Sequence, residues 1–147
     1  MVPLLTQLLN LPGMEVEDYQ DLGDRLILEV EAYSASSVCP RCGQISSQLH
    51  QNHGHLVRDL SLGERQVWLK LNRRQFKCGT CQKPFSEEFE FIGKRRGYTD
   101  RFAQMVVQQV RHSDMHNVGV KHGLSDEDVA SMVQYIAQKN YESMSAT

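Results

Sequence analysis

The chain holds four cysteines, and they fall into two pairs of identical spacing, Cys39-Pro40-Arg41-Cys42 and Cys78-Gly79-Thr80-Cys81, with thirty-five residues between the pairs. Each pair offers two thiolates from one tight turn, and two such turns brought together supply the four soft donors of a tetrahedral zinc site with Zn–S bonds of about 2.3 Å. Gly43 follows the first pair and Gly79 lies inside the second, where a backbone without Cβ turns sharply around a metal. Three other uses of the thiols compete with zinc. Disulfides persist in oxidising compartments, but the start Met1-Val2-Pro3-Leu4-Leu5 lacks the basic n-region and cleavage site of a secretory signal, so the expected setting is the cytoplasm. A thioredoxin-type redox site needs a long helix starting at the cysteine pair, and Gly43-Gln44-Ile45-Ser46-Ser47 does not read as one. A catalytic zinc keeps a position open for water, whereas four cysteines close the shell. One structural Zn²⁺ on Cys39, Cys42, Cys78 and Cys81 is therefore expected. His50, His53 and His55 lie between the pairs and are read as exposed or hydrogen-bonding side chains, with His50 the one to watch as a replacement ligand.

The segments around the cysteines alternate as strands do. Leu26, Leu28, Val30 and Ala32 recur every second residue in 25–33, the period of a half-buried strand feeding the first cysteine turn. Residues 55–60 and 65–71 read as strands around Ser61-Leu62-Gly63-Glu64, and 72–77 as a final strand carrying the second turn. Residues 21–92 are thus expected to form a small β module whose ends the metal ties, since so small a core rarely suffices alone. After 93–97 the period changes. Thr99 is a candidate N-cap for a helix over 100–111, with Phe102, Val106 and Val110 on one face. A second helix is expected from Met115 to Lys121, ending at Gly123, and a third after a Ser125 cap, through Val129, Met132, Val133 and Ile136. The fold class is α+β: an arm over 1–20, the zinc-bound module over 21–92, a three-helix, helix-turn-helix-like domain over 93–140 and a frayed tail over 141–147. No stretch approaches the ~20 apolar residues that span a bilayer, so no membrane partner is expected.

These motifs, taken together, resemble a particular family. Cys39-Pro40-Arg41-Cys42-Gly43, His50, Val57-Arg58-Asp59-Leu60, the Val67/Leu69/Leu71 strand, Arg73-Arg74-Gln75-Phe76-Lys77-Cys78, Cys81, Phe85-Ser86-Glu87 and Tyr98-Thr99-Asp100-Arg101-Phe102 are similar in order and spacing to the N-terminal region of insertion-sequence transposases of the ISL-three family. The resemblance runs from about residue 38 to 111, and more loosely through 140. It implies a zinc-binding domain followed by a helix-turn-helix, the two recognising the inverted repeats at the ends of a mobile element, with a DDE-type catalytic domain afterwards. A DDE site gathers carboxylates from a large α/β fold around two divalent metals, and 147 residues leave no length for it. The expectation is therefore a non-catalytic, DNA-binding portion, nucleoid-associated when bound. Its partners would be double-stranded DNA and either a second copy or a full-length transposase. The alternative is a zinc-stabilised adaptor that acts on such a transposase by protein contact alone.

Charge says where DNA would lie. The net charge of −2 hides a basic middle, with twelve bases against six acids over 58–111, between acidic ends. Lys70, Arg73, Arg74 and Lys77 in the β module, with Lys94, Arg95, Arg96 and Arg101 at the junction, are the expected phosphate contacts. The third helix offers Gln134, Gln138 and Lys139 but opens on Asp126-Glu127-Asp128, acids read as complementing the helix dipole rather than holding a metal. Gln134 is its candidate base contact. Trp68 and Phe76 are read as core residues.

Overall fold

The computed structural model describes residues 2–93 and 96–145. The chain divides into two compact units, Met1–Gly97 and Tyr98–Thr147. In the first, helix α1 (Pro3–Leu9) precedes strands β1 (Met14–Asp21), β2 (Arg25–Ala32), β3 (Ser37–Val38), β4 (Ile45–Ser46), β5 (Leu49–Leu62), β6 (Arg65–Lys77) and β7 (Pro84–Ser86). The second holds helices α2 (Asp100–Val110), α3 (Met115–His122) and α4 (Asp126–Ser145). The α+β class follows the alternation in the sequence, with four described helices because α1 precedes the expected three. No helix among the described residues is long and apolar enough to cross a membrane.

The main sheet has the order β1-β2-β6-β5, with β7 added to β6. Its pairs are antiparallel except β2 with β6, which run parallel from Arg25/Gln66 to Val30/Leu71. The alternating residues of the sequence make one apolar face: Leu26, Leu28 and Val30 on β2, Val67, Leu69 and Leu71 on β6 and Val57 on β5 are all buried. Each such side chain contributes about 1.5–3 kcal/mol when fully removed from water. Leu9, Leu11, Met14, Val16 and Ile92 complete this core, and Leu5, Phe89 and Phe91 pack against it.

Residues 1–20 are not a separate arm. Pro3 begins α1, where its missing N–H costs nothing, and the Thr6 hydroxyl donates to the Val2 carbonyl while accepting from the Val16 amide, 2.9 Å in both cases. That side chain ties helix to strand, and β1 then pairs with β2 along its length, with a bulge between Val16 and Asp18. Strands read as separate over 65–71 and 72–77 are one continuous β6, paired with a β5 that reaches back to Leu49. The hairpin turns at Gly63, φ +61°.

In the helical unit, Thr99 caps α2 by accepting from the Phe102 amide at 3.3 Å. Asp114 caps α3, accepting from the Asn117 amide at 2.7 Å, and Gly123 ends it in the left-handed conformation, φ +68°. Ser125 and Asp128 cap α4 reciprocally, the Asp128 amide donating to Ser125 Oγ (3.0 Å) and the Ser125 amide to Asp128 Oδ2 (3.1 Å). Phe102, Ala103, Val106, Val118, Val129, Met132 and Ile136 are the core. The helix continues to Ser145, through most of the stretch expected to fray.

Candidate metal centre and helix-turn-helix

Two knuckles build the metal centre. The Cys39 amide donates to the Gln44 carbonyl (2.8 Å) and the Gly43 amide to the Cys39 carbonyl (2.9 Å); in the second, the Cys78 amide donates to the Lys83 carbonyl (3.1 Å) and the Gln82 amide to the Cys78 carbonyl (2.9 Å). The residue after the last cysteine is left-handed in both, Gly43 at φ +77° and Gln82 at φ +59°. Gly79 has an ordinary φ. The conformational demand thus falls one position beyond each cysteine pair, and the second knuckle meets it with a glutamine.

The four sulfurs lie within 4.8 Å of one another, and Cys42 and Cys78 Sγ are 3.5 Å apart. A tetrahedron of 2.3 Å bonds has edges of ~3.8 Å, so the donor set fits zinc, and the site is a structural Zn(Cys)₄ centre. Its donors include no histidine: His50 and His53 are exposed on β5 and His55 is half-buried. Backbone donors prepare the thiolates. Burial pushes the Cys39 thiol up, but the amides of Cys42 and Arg41 outweigh it and bring it down to about 6. The Cys81 amide, 3.3 Å from Cys78 Sγ, pulls that thiol down too. At Cys42 the Gln44 amide favours the thiolate, yet burial and the three neighbouring thiols push it up to about 12. Four thiols so close share their protons until a metal replaces them.

Three side chains around this centre escaped the sequence reading. Arg41, between the first two ligands, donates through Nη2 to the carbonyls of Lys83 (3.0 Å) and Pro84 (3.2 Å), so it bolts the first knuckle to the second. Its position inside the cysteine pair was the available signal. Ser46 donates to the Lys77 carbonyl at 2.5 Å. Glu87 accepts from Arg74 Nε (3.1 Å), Nη2 (3.0 Å) and the backbone amide (2.9 Å). Phe76 and Phe85, with ring centroids 6.0 Å apart, pack with Cys39 and Cys78 as a small separate core. Trp68 is half-buried, its N–H on Gln66 Oε1 at 3.2 Å.

The expected DNA contacts are dispersed. Strand alternation puts Lys70 and Arg74 on one face of β6 and Arg73 and Lys77 on the other. Lys70 is exposed, 3.7 Å from Glu29. Arg74 is almost wholly enclosed in its pair with Glu87, while Arg73 lies over the Phe89 ring, 5.6 Å from its centroid. Lys94 and Arg95 lie outside the described residues. Arg96 and Arg101 are half-buried, and Gln134 is exposed on α4. Lys139 is bound to Asp100, which also accepts from the Tyr135 hydroxyl at 2.6 Å. A cleft of about 620 Å³ between α2 and α3 brings together Gln108, His112, Asn117 and Lys121, which the sequence reading did not single out.

The α3–α4 packing depends on Gly119. A Cβ there would stand 2.8 Å from the Leu124 carbonyl oxygen and 3.3 Å from Val129 Cγ2, and the Leu124 amide closes the turn on the Gly119 carbonyl at 2.7 Å. Two helices crossing so closely over a short glycine-containing turn are a helix-turn-helix.

Comparison with known proteins agrees with both halves. Residues 35–81 match the zinc-finger of transposase IS204/IS1001/IS1096/IS1165, and residues 87–137 match the helix-turn-helix domain of transposase family ISL3. The transposase for insertion sequence element IS1001 of Bordetella parapertussis is 32% identical over 107 residues, which is 72% of this chain and 26% of that protein. No solved structure matches the chain. With the four cysteines inside the first match and the glycine-dependent helix pair inside the second, the chain is a homologue of the N-terminal zinc-finger and helix-turn-helix region of ISL3-family insertion-sequence transposases, spanning about a quarter of the length of the relative it matches.

Proposed function

We propose that the chain recognises the inverted repeats at the ends of an insertion element, through the zinc-stabilised sheet unit and the helix-turn-helix together, and is non-catalytic alone. The observation that carries this reading is the close α3–α4 crossing at Gly119, a geometry whose use is to present one helix to a groove. Arg73, Arg96 and Arg101, with Lys70 and Lys77, supply phosphate contacts, joined by Lys94 and Arg95. Arg74 serves by holding Glu87. Gln134 on α4 reads a base edge. The reading of Asp126 and Asp128 as helix-start residues rather than metal ligands is supported by the cap that Asp128 makes with Ser125.

A gel-shift titration of inverted-repeat and scrambled duplexes at two salt concentrations tests this. The inverted repeat should bind more tightly, and each lost phosphate contact should reduce the log–log salt slope by roughly 0.9, so Arg73→Ala flattens it while Gln134→Ala alters sequence preference. Strand cleavage in Mg²⁺ that vanishes in Asp126→Asn would contradict the non-catalytic reading. One observation favours a second reading: α4 starts on three exposed acids and ends with Tyr141 and Met144 about three-quarters exposed. A chain that ignores both duplexes but co-migrates with a full-length transposase is an adaptor, and one that self-associates on the same helix is a dimer.

A further inference from the structure

The far end of the β5/β6 hairpin carries a surface that none of the matches assigns. Beyond the Val30/Leu71 pair β2 no longer accompanies β6, and the two strands run on together to Phe76, paired as His55↔Leu71, His53↔Arg73 and Gln51↔Gln75. Residues on these pairs continue the face that Val57 and Leu69 turn to the core, and beyond Leu71 they are polar: His53, Gln51, Arg73 and Gln75. There His53, Gln51, Arg73, Gln75 and Lys77 form a polar strip on the two strands. The strands themselves contain no acid over 49–58 or 65–77, although residues 1–97 as a whole carry twelve acids against twelve bases.

Three features make the strip more than a solvated face. Gln51 Nε2 donates to Gln75 Oε1 at 2.6 Å across the strands, which holds two amides side by side and leaves Gln51 Oε1 as an acceptor and Gln75 Nε2 as a donor beyond that bond. Arg73 is held over Phe89, which places its charge at the edge of the strip, and its buried Nε has no hydrogen-bond partner among the described residues. The base of the hairpin is fastened to the segment that follows the first zinc knuckle, by the Lys77 amide on the Gln48 carbonyl (2.9 Å) and by Ser46 of β4 on the Lys77 carbonyl. We infer that this strip is a second sequence-reading surface for duplex DNA, in which the Gln51–Gln75 pair and His53 meet base edges in the major groove while Arg73 and Lys77 neutralise the flanking phosphates. The inference rests on the DNA-binding reading above. The major groove admits a pair of β-strands, and side-chain amides address adenine through N6 and N7. Single strands are a poorer fit, because no Phe, Tyr or Trp side chain is exposed on the strip for bases to stack on.

The test is selection of duplexes from a random-sequence pool on the zinc-loaded chain, followed by binding of the recovered duplex to variants at several salt concentrations. Gln51→Ala with Gln75→Ala should relax the selected sequence over a few adjacent base pairs and weaken binding about five- to a hundredfold. Arg73→Ala and Lys77→Ala should weaken all duplexes alike and each lower the salt slope by roughly 0.9. Zinc content and thermal unfolding of each variant confirm that it is folded. Unchanged affinity, selected sequence and salt slope in all three variants, with the intact chain still binding DNA, would overturn the hairpin surface and leave the helix-turn-helix reading standing. An intact chain that recovers no duplex at all would overturn both.

Discussion

The two units solve the problem of a small core in opposite ways. The helical unit is self-sufficient: three helices interlock around Phe102, Val106, Val129 and Met132, each start is capped, and its most demanding contact is one glycine at a crossing. The sheet unit has a comparable apolar layer at one end, but its other end is held by four sulfurs and two phenylalanines. Helices satisfy their own backbone locally and need only one buried stripe, whereas the end of a hairpin that outruns its sheet needs a partner supplied from outside the apolar core. The lesson is that metal is placed where sequence-distant ends must meet.

This contrast can be broken most decisively at Cys78. Cys78→Ser should abolish stoichiometric zinc and release the region around β3, β4 and β7, seen as fast amide exchange over 37–48 and 76–86, while protection of α2 to α4 is unchanged. Next in size, Glu87→Ala leaves the enclosed Arg74 guanidinium without its carboxylate and should cost about 3 kcal/mol, measured by denaturant unfolding of the zinc-loaded chain and confined to the sheet unit. In the helical unit Gly119→Ala drives a methyl against the Leu124 carbonyl and should cost about 1–3 kcal/mol, lowering the exchange protection of α3 and α4 while zinc content stays the same. Thr99→Ala removes the α2 cap and should cost about 1 kcal/mol in the same unit.

The smallest effect sharpens the picture of the acidic edge. Glu15, Glu17 and Glu31 gather where β1 meets β2, and a hydrogen bond from Glu17, then burial and the Glu17 charge, raise the Glu15 carboxyl above its ordinary 4.5. A raised carboxyl favours the folded state fully below its ordinary value, and this contribution is lost as pH rises through the folded value. Glu15→Gln should therefore raise the Tm slightly at neutral pH and leave it unchanged in acid, a difference readable by calorimetry at two pH values.

The zinc ligands were legible because spacing alone defines them, and β2, β5 and β6 because Leu26, Leu28, Val30 and Val67, Leu69, Leu71 alternate without interruption. β1 was hidden: after Val16 a bulge and then four exposed residues, Asp18 to Asp21, erase the period of two, which is the expected signature of an edge strand. The cluster Lys70, Arg73, Arg74 and Lys77 looked like one surface because it is compact along the chain, yet a strand sends neighbours to opposite faces, and nothing local announces that Glu87, thirteen residues on, will claim Arg74. Thr99, Ser125 and Gly123 were readable at the helix ends because caps are local. The continuation of α4 past Asn140 was not, since its exposed residues there leave no apolar stripe to follow.

The parallel pairing of β2 with β6 sets the order in which a ribosome can deliver a finished fold. When β1 and β2 have emerged they can close their own hairpin, but Leu26, Leu28 and Val30 wait, with one edge open, until Val67 to Leu71 have been synthesised. A chain paused between those points is a sticky ribbon, and the longer the search for its neighbour, the greater its exposure to other nascent chains. The cysteines shorten that search, because the first pair follows β2 by seven residues and the second follows β6 immediately. A zinc ion caught by Cys39 and Cys42 waits at the point where Cys78 and Cys81 will arrive, and their capture draws the late strand alongside the early one.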